Sequence, residues 1–201
     1  MVADRLRGRS QRFIDAASKP FMALSPNTIS AVSFILAVIS GYAFFRSGYF
    51  IIVSFFALLF SALFDAVDGN VARRRNLHSK KGDLVDHVLD RFSDIAVIAG
   101  MVFSPYGSIY IGFFALEGIM MTSYMGTQSQ ALGLSRNYSG ILGRSDRLIL
   151  MLVFILLQFF VRSTYNLDGI TFTVTVILLI WFAVAGNVTA VTRFMQSYRS
   201  L

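Results

Sequence analysis

Six long stretches without a charged residue separate the polar positions of this chain. Most of them are about long enough to cross a hydrocarbon core of roughly 30 Å, and the shortest, Leu148–Val161, needs flanking residues to do so. The pattern therefore predicts an all-α integral membrane protein with six transmembrane helices. The six stretches are Lys19–Phe45 with Lys19 set aside, Ser47–Phe64, Ile95–Leu116, Gly118–Ser135, Leu148–Val161 and Gly169–Thr192.

Composition agrees with this pattern. Of 201 residues, 55% are hydrophobic and 14% are charged, which differs from the balance of a soluble domain. The six stretches leave almost no chain for anything else, so we expect residues 1–201 to form a single membrane domain. The chain has no cysteine, which excludes disulfides and thiolate metal sites.

Residues 1–19 differ from the rest of the chain because they are rich in arginine. Apolar residues at Leu6, Phe13, Ile14 and Ala17 fall near one face of a helix, which predicts a short amphipathic helix in the membrane interface, ahead of a six-helix bundle over 20–201. The segment is too charged to contain the apolar core of a cleaved signal peptide, so we expect none.

Lysine and arginine alternate between the two ends of the predicted spans. They are abundant before the first span and in the connections after the second and fourth, while the opposite side carries only Arg46 and Arg162. Basic short loops stay in the cytoplasm, so both termini should face it. The net charge of +7 lies at the ends of spans, which favours lipid headgroups and phosphorylated substrates as partners over nucleic acid.

Six of the eleven acidic residues fall within the stretch from Phe64 to Asp94. Asp65 and Asp68 are three residues apart at the end of the second span, and Asp86 and Asp90 are four apart at the start of the third. Either spacing places two side chains on one helical face. If the helices pack side by side, four carboxylates converge near the membrane surface, where they need a cation.

Oxygen ligands without cysteine favour a hard cation, Mg²⁺ or Mn²⁺. Four carboxylates are enough for two ions, a common arrangement in phosphoryl and pyrophosphate chemistry. The alternative is a surface acidic loop that pairs with the basic residues of the connection, Arg73–Arg75 and Lys80–Lys81.

Small residues accompany the acids. Gly69 follows Asp68, and a glycine inside a helix costs about 1 kcal/mol relative to alanine, so it indicates close approach by a ligand or by a neighbouring helix. Ala72 lies three residues on, and Arg73 is available for phosphate groups. Packing between helices would explain Gly69 and Ala72 equally well.

These positions form the pattern Asp65-x2-Asp68-Gly69-x2-Ala72-Arg73-x8-Gly82-x3-Asp86-x3-Asp90. It resembles, position for position, the signature of the CDP-alcohol phosphatidyltransferases, which displace CMP from a CDP-linked lipid with an acceptor hydroxyl.

The resemblance implies roles for the individual residues. Asp65, Asp68 and Asp86 would hold two divalent cations, and Asp90 would contribute to the metal site and act as general base. Gly69, Ala72 and Arg73 would contact the CDP portion of the donor, with help from Asp65.

Asp83 and Asp94 lie outside the signature. Asp94 is three residues from Arg91, which predicts an ion pair, and Asp83 stands at the start of the third helix, where an acid is favoured by the helix dipole.

The acceptor must be recognised elsewhere. Arg144 and Arg147 flank the fifth span on the side of the carboxylates, Arg193 follows the sixth, and each could bind a phosphate or anchor a span at the membrane edge. The connection containing "GTQSQALGL" and "GRSDR" is similar to the inositol-phosphate branch of the family, particularly the archaetidylinositol phosphate synthases. That similarity implies inositol 1-phosphate as acceptor, bound by Arg144, Arg193 and Ser129, and it leaves CDP-archaeol and CDP-diacylglycerol open as donors.

Other functions stay open at this point. A phosphatidylglycerophosphate synthase would use glycerol 3-phosphate, and a phosphatidylserine synthase would need no cluster of basic residues. A divalent-cation transporter is an alternative from a different class. The position of the acidic residues, at one membrane edge rather than at mid-depth, argues against it. Members of the resembled family are commonly homodimers, and we expect the same here.

Overall fold

The computed structural model describes residues 11, 14–77, 79–135, 137–167 and 170–201. In these residues, six long helices account for most of the chain, accompanied by a 3₁₀ turn at Lys19–Phe21 and a short antiparallel hairpin of β1 (Tyr165–Leu167) and β2 (Ile170–Phe172). The helices are α1 (Pro26–Arg46), α2 (Phe50–Arg74), α3 (Lys80–Val102), α4 (Ile109–Ala131), α5 (Arg144–Phe160) and α6 (Val174–Ser200).

Local sequence signals set the ends of the helices that carry the acidic stretch. Ser25 caps α1 by accepting a hydrogen bond from the backbone N–H of Thr28 at 3.1 Å, with Pro26 in the first helical position. Ser79 caps α3 in the same way, accepting from the N–H of Gly82 at 3.0 Å. The basic connection after α2 therefore ends at Ser79, where α3 begins.

Four of the helices, α1, α2, α4 and α6, are long and apolar enough to cross a membrane. The chain is thus an all-α membrane protein, but six spans are not established. The first half of α3 carries the acidic residues, and α5 has only 17 residues. A bundle with six spans, like the single-domain assignment, stays a prediction.

Glu117 allows two readings of the third and fourth helices: the charge-free stretches divide at this residue, whereas a fourth span from about Tyr106 to Gln130 would contain it. The structure agrees with the second reading, because Glu117 lies inside α4 and the chain breaks at residues 103–108. Pro105 has no N–H to donate, and Gly107 approaches the backbone of Met101 and Val102 more closely than a side chain would allow. A turn motif, and not a charge, therefore ends α3.

Small residues bring the helices together. A Cβ on Gly41 in α1 would collide with the carbonyl of Ala96 in α3, and one on Gly118 in α4 would lie 2.9 Å from the backbone nitrogen of Asn187 in α6. Such close backbone approach is typical of helices packed within a membrane.

Serine side chains join α1 to α2. Ser33 donates to the carbonyl of Ser61 at 2.8 Å, and Ser40 donates to the carbonyl of Ser54 at 2.9 Å, all four residues being buried. These hydrogen bonds fix the register of the two helices that begin the bundle.

Only part of the predicted N-terminal helix lies within the described residues. Residues 14–18 are helical, and Ser18 is followed directly by the 3₁₀ turn at Lys19–Phe21, in which Pro20 stands. Residues 1–10, 12 and 13 lie outside the described part of the chain, so an amphipathic helix over 1–19 stays a prediction.

Candidate active site

The end of α2 and the start of α3 bring three carboxylates together. Asp65, Asp68 and Asp86 each offer an oxygen atom, and these atoms lie within 4.8 Å of one another. Asp68 is buried, while Asp65 and Asp86 are half-buried. Three carboxylate oxygens at this separation match the donor set of a hard divalent cation, so the residues fit a Mg²⁺ or Mn²⁺ site.

Asp90 lies one helical turn deeper on α3 than Asp86 and is 6% exposed. Asp86, His87 and Asp90 form a second group whose ligand atoms also lie within 4.8 Å of one another. The two groups share Asp86, so the four predicted acids form one continuous cluster.

A serine of α1 fixes one of these carboxylates. Ser30 is buried and donates a hydrogen bond to Oδ2 of Asp68 at 2.6 Å. A hydrogen bond of this kind orients a metal-ligating carboxylate. Sequence reasoning missed Ser30, because its only signal is a spacing of four residues after Pro26 on a helix whose orientation was unknown.

A cavity of about 350 Å³ opens beside the cluster. Three of the residues that the signature assigns to CDP, namely Gly69, Ala72 and Arg73, line it together with Asp68 and Asp86. The cavity is also lined by residues at the ends of α1 and α3 and in the connection, which are Ser25, Pro26, Asn27, Ser30, Leu77, Ser79, Gly82 and Asp83. No sequence pattern had pointed to the start of α1 as part of the site.

Gly69 faces this cavity and is not covered by another helix. Among the described residues, a Cβ built on Gly69 would meet only Nη1 of Arg73, at 3.4 Å, whereas one built on Gly41 would strike the backbone of a neighbouring helix. Of the two explanations left open by the sequence, packing between the described helices does not account for Gly69, and a role of Gly69 toward a ligand stays a prediction.

Arg144 reaches the cluster from the start of α5. Its Nη2 atom lies 2.8 Å from Oδ1 of Asp65 and also contacts Oδ1 of Asp90. Both contacts use one nitrogen of a guanidinium that carries five N–H donors. A basic side chain from a third helix therefore stands at the edge of the carboxylate cluster.

Asp94 does not belong to the cluster. Its Oδ2 atom lies 2.8 Å from Nη2 of Arg147 and 3.7 Å from Nη2 of Arg91. The predicted Arg91 pair is thus present, but Arg147 is the nearer partner. Arg147 and Asp94 are both buried, and their pair fastens α5 to α3 one turn below the contact of Arg144 with Asp90.

Asp83 lies in the first turn of α3, as predicted, although the capping hydrogen bond comes from Ser79. His87 stands 3.7 Å from Asp83 and 3.6 Å from Asp86.

The structure places the other two predicted acceptor residues in contacts between helices. Arg193 in α6 is buried, and it donates from Nη1 to the carbonyl of Thr122 at 2.6 Å and from Nε to the carbonyl of Ser139 at 2.9 Å. The hydroxyls of Ser129 and Ser197 lie 2.6 Å apart. These contacts hold α4, α6 and the connection before α5 together, and a role for Arg193 and Ser129 toward the acceptor stays a prediction.

Comparison with known proteins identifies the class to which this fold and site belong. The family model for CDP-alcohol phosphatidyltransferase matches residues 23–190. An archaetidylinositol phosphate synthase from Methanothermobacter thermautotrophicus is 31% identical over 151 residues, covering 75% of each chain. A phosphatidylinositol phosphate synthase from Cutibacterium acnes is 31% identical over 136 residues, covering 65% of each chain.

The fold is shared with a solved enzyme. The crystal structure of Mycobacterium tuberculosis phosphatidylinositol phosphate synthase with CDP-DAG bound has a TM-score of 0.77 and 22% sequence identity, covering 93% of this chain and 94% of that one. The same enzyme has been solved in complex with manganese and citrate.

The chain belongs to the CDP-alcohol phosphatidyltransferase family. It is an enzyme of that class, which uses a CDP-lipid donor, an alcohol acceptor and a divalent metal. The resemblance noted in the sequence is confirmed, and the cation-transporter alternative is set aside.

Proposed function

We propose that this enzyme transfers a phosphatidyl-type group from a CDP-linked lipid to a hydroxyl of a phosphorylated polyol, inositol 1-phosphate, with release of CMP. The observation that carries the proposal is the cavity in which Gly69, Ala72 and Arg73 stand directly beside the carboxylates of Asp68 and Asp86. A CDP-linked donor needs both parts side by side, namely space for the nucleotide beside the small residues and carboxylates that hold metal ions on the pyrophosphate. The names of the relatives, archaetidylinositol and phosphatidylinositol phosphate synthases, support the acceptor.

Asp65, Asp68, Asp86 and Asp90 would hold the divalent cation, with two ions of Mg²⁺ or Mn²⁺ expected for the cluster. When bound, such ions neutralise charge on a pyrophosphate and on the leaving phosphate. Ser30 keeps the Asp68 carboxylate oriented toward the cavity.

The donor would lie with its nucleotide over Gly69 and Ala72. The lack of a side chain at Gly69 leaves the helix backbone accessible, so a flat group can approach it. Arg73 is exposed at the edge of the cavity, and its guanidinium can bind phosphate oxygens through two parallel hydrogen bonds.

Asp90 would act as the general base. It would take the proton from the acceptor hydroxyl as the hydroxyl oxygen forms a bond to the lipid-bearing phosphorus. The bond from that phosphorus to the bridging oxygen breaks, and CMP leaves with the bridging oxygen and its electron pair. The burial of Asp90 suits this task, because a carboxylate shielded from water is a stronger base than an exposed one.

Arg144 would bind the phosphate of the acceptor, helped by Arg193 and Ser129. The position of Arg144, in contact with both Asp65 and Asp90, would place that phosphate within reach of the base. We further propose that all six helices cross the cell membrane with the site and both termini on the cytoplasmic side, and that the enzyme is a homodimer.

The test is an assay of CMP release. The purified chain is given Mg²⁺ or Mn²⁺, one of the two donors (CDP-diacylglycerol or CDP-archaeol), and in turn inositol 1-phosphate, glycerol 3-phosphate, serine or free inositol. We expect release with inositol 1-phosphate and little with free inositol. If CMP were released with glycerol 3-phosphate and with none of the other acceptors, glycerol 3-phosphate would be the acceptor instead. No CMP release with any combination would refute the proposed function.

A further inference from the structure

Asn70 lies inside the signature but takes no part in the cavity. It is 2% exposed, and its side-chain nitrogen donates to Oδ1 of Asp15 at 2.8 Å and to the hydroxyl of Ser18 at 3.1 Å. The side chain of Asn70 therefore joins the segment before α1 to the helix that carries Asp65 and Asp68.

Further contacts connect the same two parts of the chain. Arg74 pairs with Asp15 at 3.0 Å, and Arg75 donates to the carbonyl of Leu24 at 2.9 Å. The rings of Phe21 and Phe64 meet edge to face, with centroids 5.1 Å apart. Ala17, Phe21 and Met22 also pack against a small apolar cluster made by buried residues of α1 and α2, which are Ile29, Val67 and Val71.

Helix geometry explains why these contacts avoid the cavity. At 3.6 residues per turn, Asn70 is rotated by about 200° from Asp68 about the axis of α2. Asp68 therefore faces the cavity and Ser30, while Asn70 faces the segment of residues 14–24. The end of α2 is held from two opposite sides at the height of the carboxylate cluster.

We propose that Asn70 is a positioning residue, and that residues 14–24 form a brace which sets the rotation of the end of α2 and thereby the direction of Asp65 and Asp68. Without the brace, the contacts of Ser30 with Asp68 and of Arg144 with Asp65 would restrain that rotation only from the side of the carboxylate cluster. The brace acts through the metal cluster, so its effect on turnover rests on the proposed function, while its effect on metal binding does not.

The charge state of the brace is stable at neutral pH. The hydrogen bond from Asn70 is the strongest influence that lowers the pKa of Asp15 below its ordinary value, and Arg74 acts in the same direction. A carboxylate with a lowered pKa loses its stabilising contribution only when the pH falls through that lowered value. Near neutral pH the unmodified chain therefore holds Asp15 ionised, so Asn70 donates to a carboxylate.

The test compares Asn70→Asp with the double variant Asp15→Asn/Asn70→Asp. The single variant sets two carboxylates against each other. The double variant restores a donor and an acceptor in exchanged positions, and the introduced carboxylate lies one helical turn before Arg74. The control is Asn76→Asp, which adds the same charge at an exposed position after α2, where the φ of 52° is one that Asn and Asp both adopt.

Mn²⁺ affinity of the purified full-length chain is the first measurement, by electron paramagnetic resonance. We expect Asn70→Asp to weaken it about tenfold, the lower range for losing support of metal ligands, and the double variant to recover most of the loss. An added negative charge by itself would strengthen cation binding, so charge cannot explain a weaker affinity. Asn76→Asp should bind Mn²⁺ at least as well as the unmodified chain.

The second measurement is CMP release, in which the donor kcat/KM should follow the same order. Unchanged Mn²⁺ affinity in Asn70→Asp would overturn the proposed brace. So would a double variant that has the same unfolding temperature as the unmodified chain but does not recover Mn²⁺ affinity. Failure of the unmodified chain to release CMP while it binds Mn²⁺ would refute the proposed function and leave the comparison of affinities as the test of the brace.

Discussion

Ser30 of α1 and Asp68 of α2 are joined by a hydrogen bond of 2.6 Å between buried groups. It continues a series of serine contacts between the two helices, but it is the one in this series that ends on a carboxylate of the metal cluster. The packing of α1 on α2 and the geometry of the site therefore depend on one another at this position.

Replacing Ser30 by alanine should weaken Mn²⁺ binding by roughly 10- to 100-fold, because Asp68 loses the group that orients it. Affinity is measured by isothermal titration calorimetry. Ser40→Ala is the matched control, since Ser40 also makes a buried hydrogen bond between α1 and α2, to the carbonyl of Ser54, about three helical turns from Ser30. Equal affinities in the two variants would show that the hydrogen bond to Asp68 serves packing alone.

Gly69→Ala should leave the protein as stable as before or slightly more stable. In the described part of the chain, the new methyl group would meet only Arg73, at 3.4 Å, and alanine is favoured over glycine in a helix by up to about 1 kcal/mol. The donor kcat/KM should nevertheless fall by about tenfold or more, because the methyl group enters the cavity. Thermal unfolding and CMP release measure the two effects.

The control for that experiment is Gly41→Ala. There a Cβ would collide with the carbonyl of Ala96, so overpacking should cost about 1–3 kcal/mol of stability. Full turnover in Gly69→Ala would mean that the nucleotide does not approach α2 at this glycine.

Arg147→Met should destabilise the protein by about 3–5 kcal/mol, because it leaves the buried carboxylate of Asp94 without its nearest partner. Asp94→Leu in the same chain should restore most of the stability, since an apolar pair replaces the ion pair. Unfolding in detergent by heat or denaturant checks both. A single variant as stable as the unmodified chain would show that Arg91 is sufficient for Asp94.

Arg144→Gln should raise the KM for inositol 1-phosphate by roughly 10- to 100-fold, the equivalent of about 1.5–3 kcal/mol for a hydrogen bond to a charged group. The KM for the CDP-lipid should change less. Arg162→Gln is a suitable control, because Arg162 is exposed after α5 and stacks on the ring of Tyr49 at 5.5 Å. If the KM for inositol 1-phosphate were unchanged in Arg144→Gln, Arg144 would not bind the acceptor phosphate.

The acidic part of the site was accessible from the sequence, because helical spacing alone places Asp65 with Asp68 and Asp86 with Asp90. Partners from distant parts of the chain were not. Ser30 is 38 positions from Asp68 and Arg147 is 53 from Asp94, and neither contact follows from a local pattern. Such pairs depend on which faces of α1 and α2, and of α3 and α5, meet, and that is decided by packing.

Element boundaries were predicted where composition changes and missed where it does not. The starts of α1 and α3 carry a serine cap, and α1 carries a proline as well. The turn after α3 lies within a charge-free stretch, so charge alone divides the chain at Glu117, while a fourth span from about Tyr106 to Gln130 agrees with the structure, which places Glu117 inside α4. Pro105 and Gly107 are the local signals for this turn.

The serine contacts between α1 and α2 have a consequence for biosynthesis. Chains are made from the N-terminus, so these two helices leave the ribosome before α3, and their serine side chains can then satisfy one another and hold Asp68 through Ser30. Two of the four carboxylates, Asp65 and Asp68, thus lie on a helical hairpin that already contains the hydrogen-bond partner of Asp68. Gly41 and Gly100 allow the backbones of α1 and α3 to approach closely. Packing of α3 against the hairpin would then add Asp86 and Asp90 and complete the metal-binding centre in a single docking event.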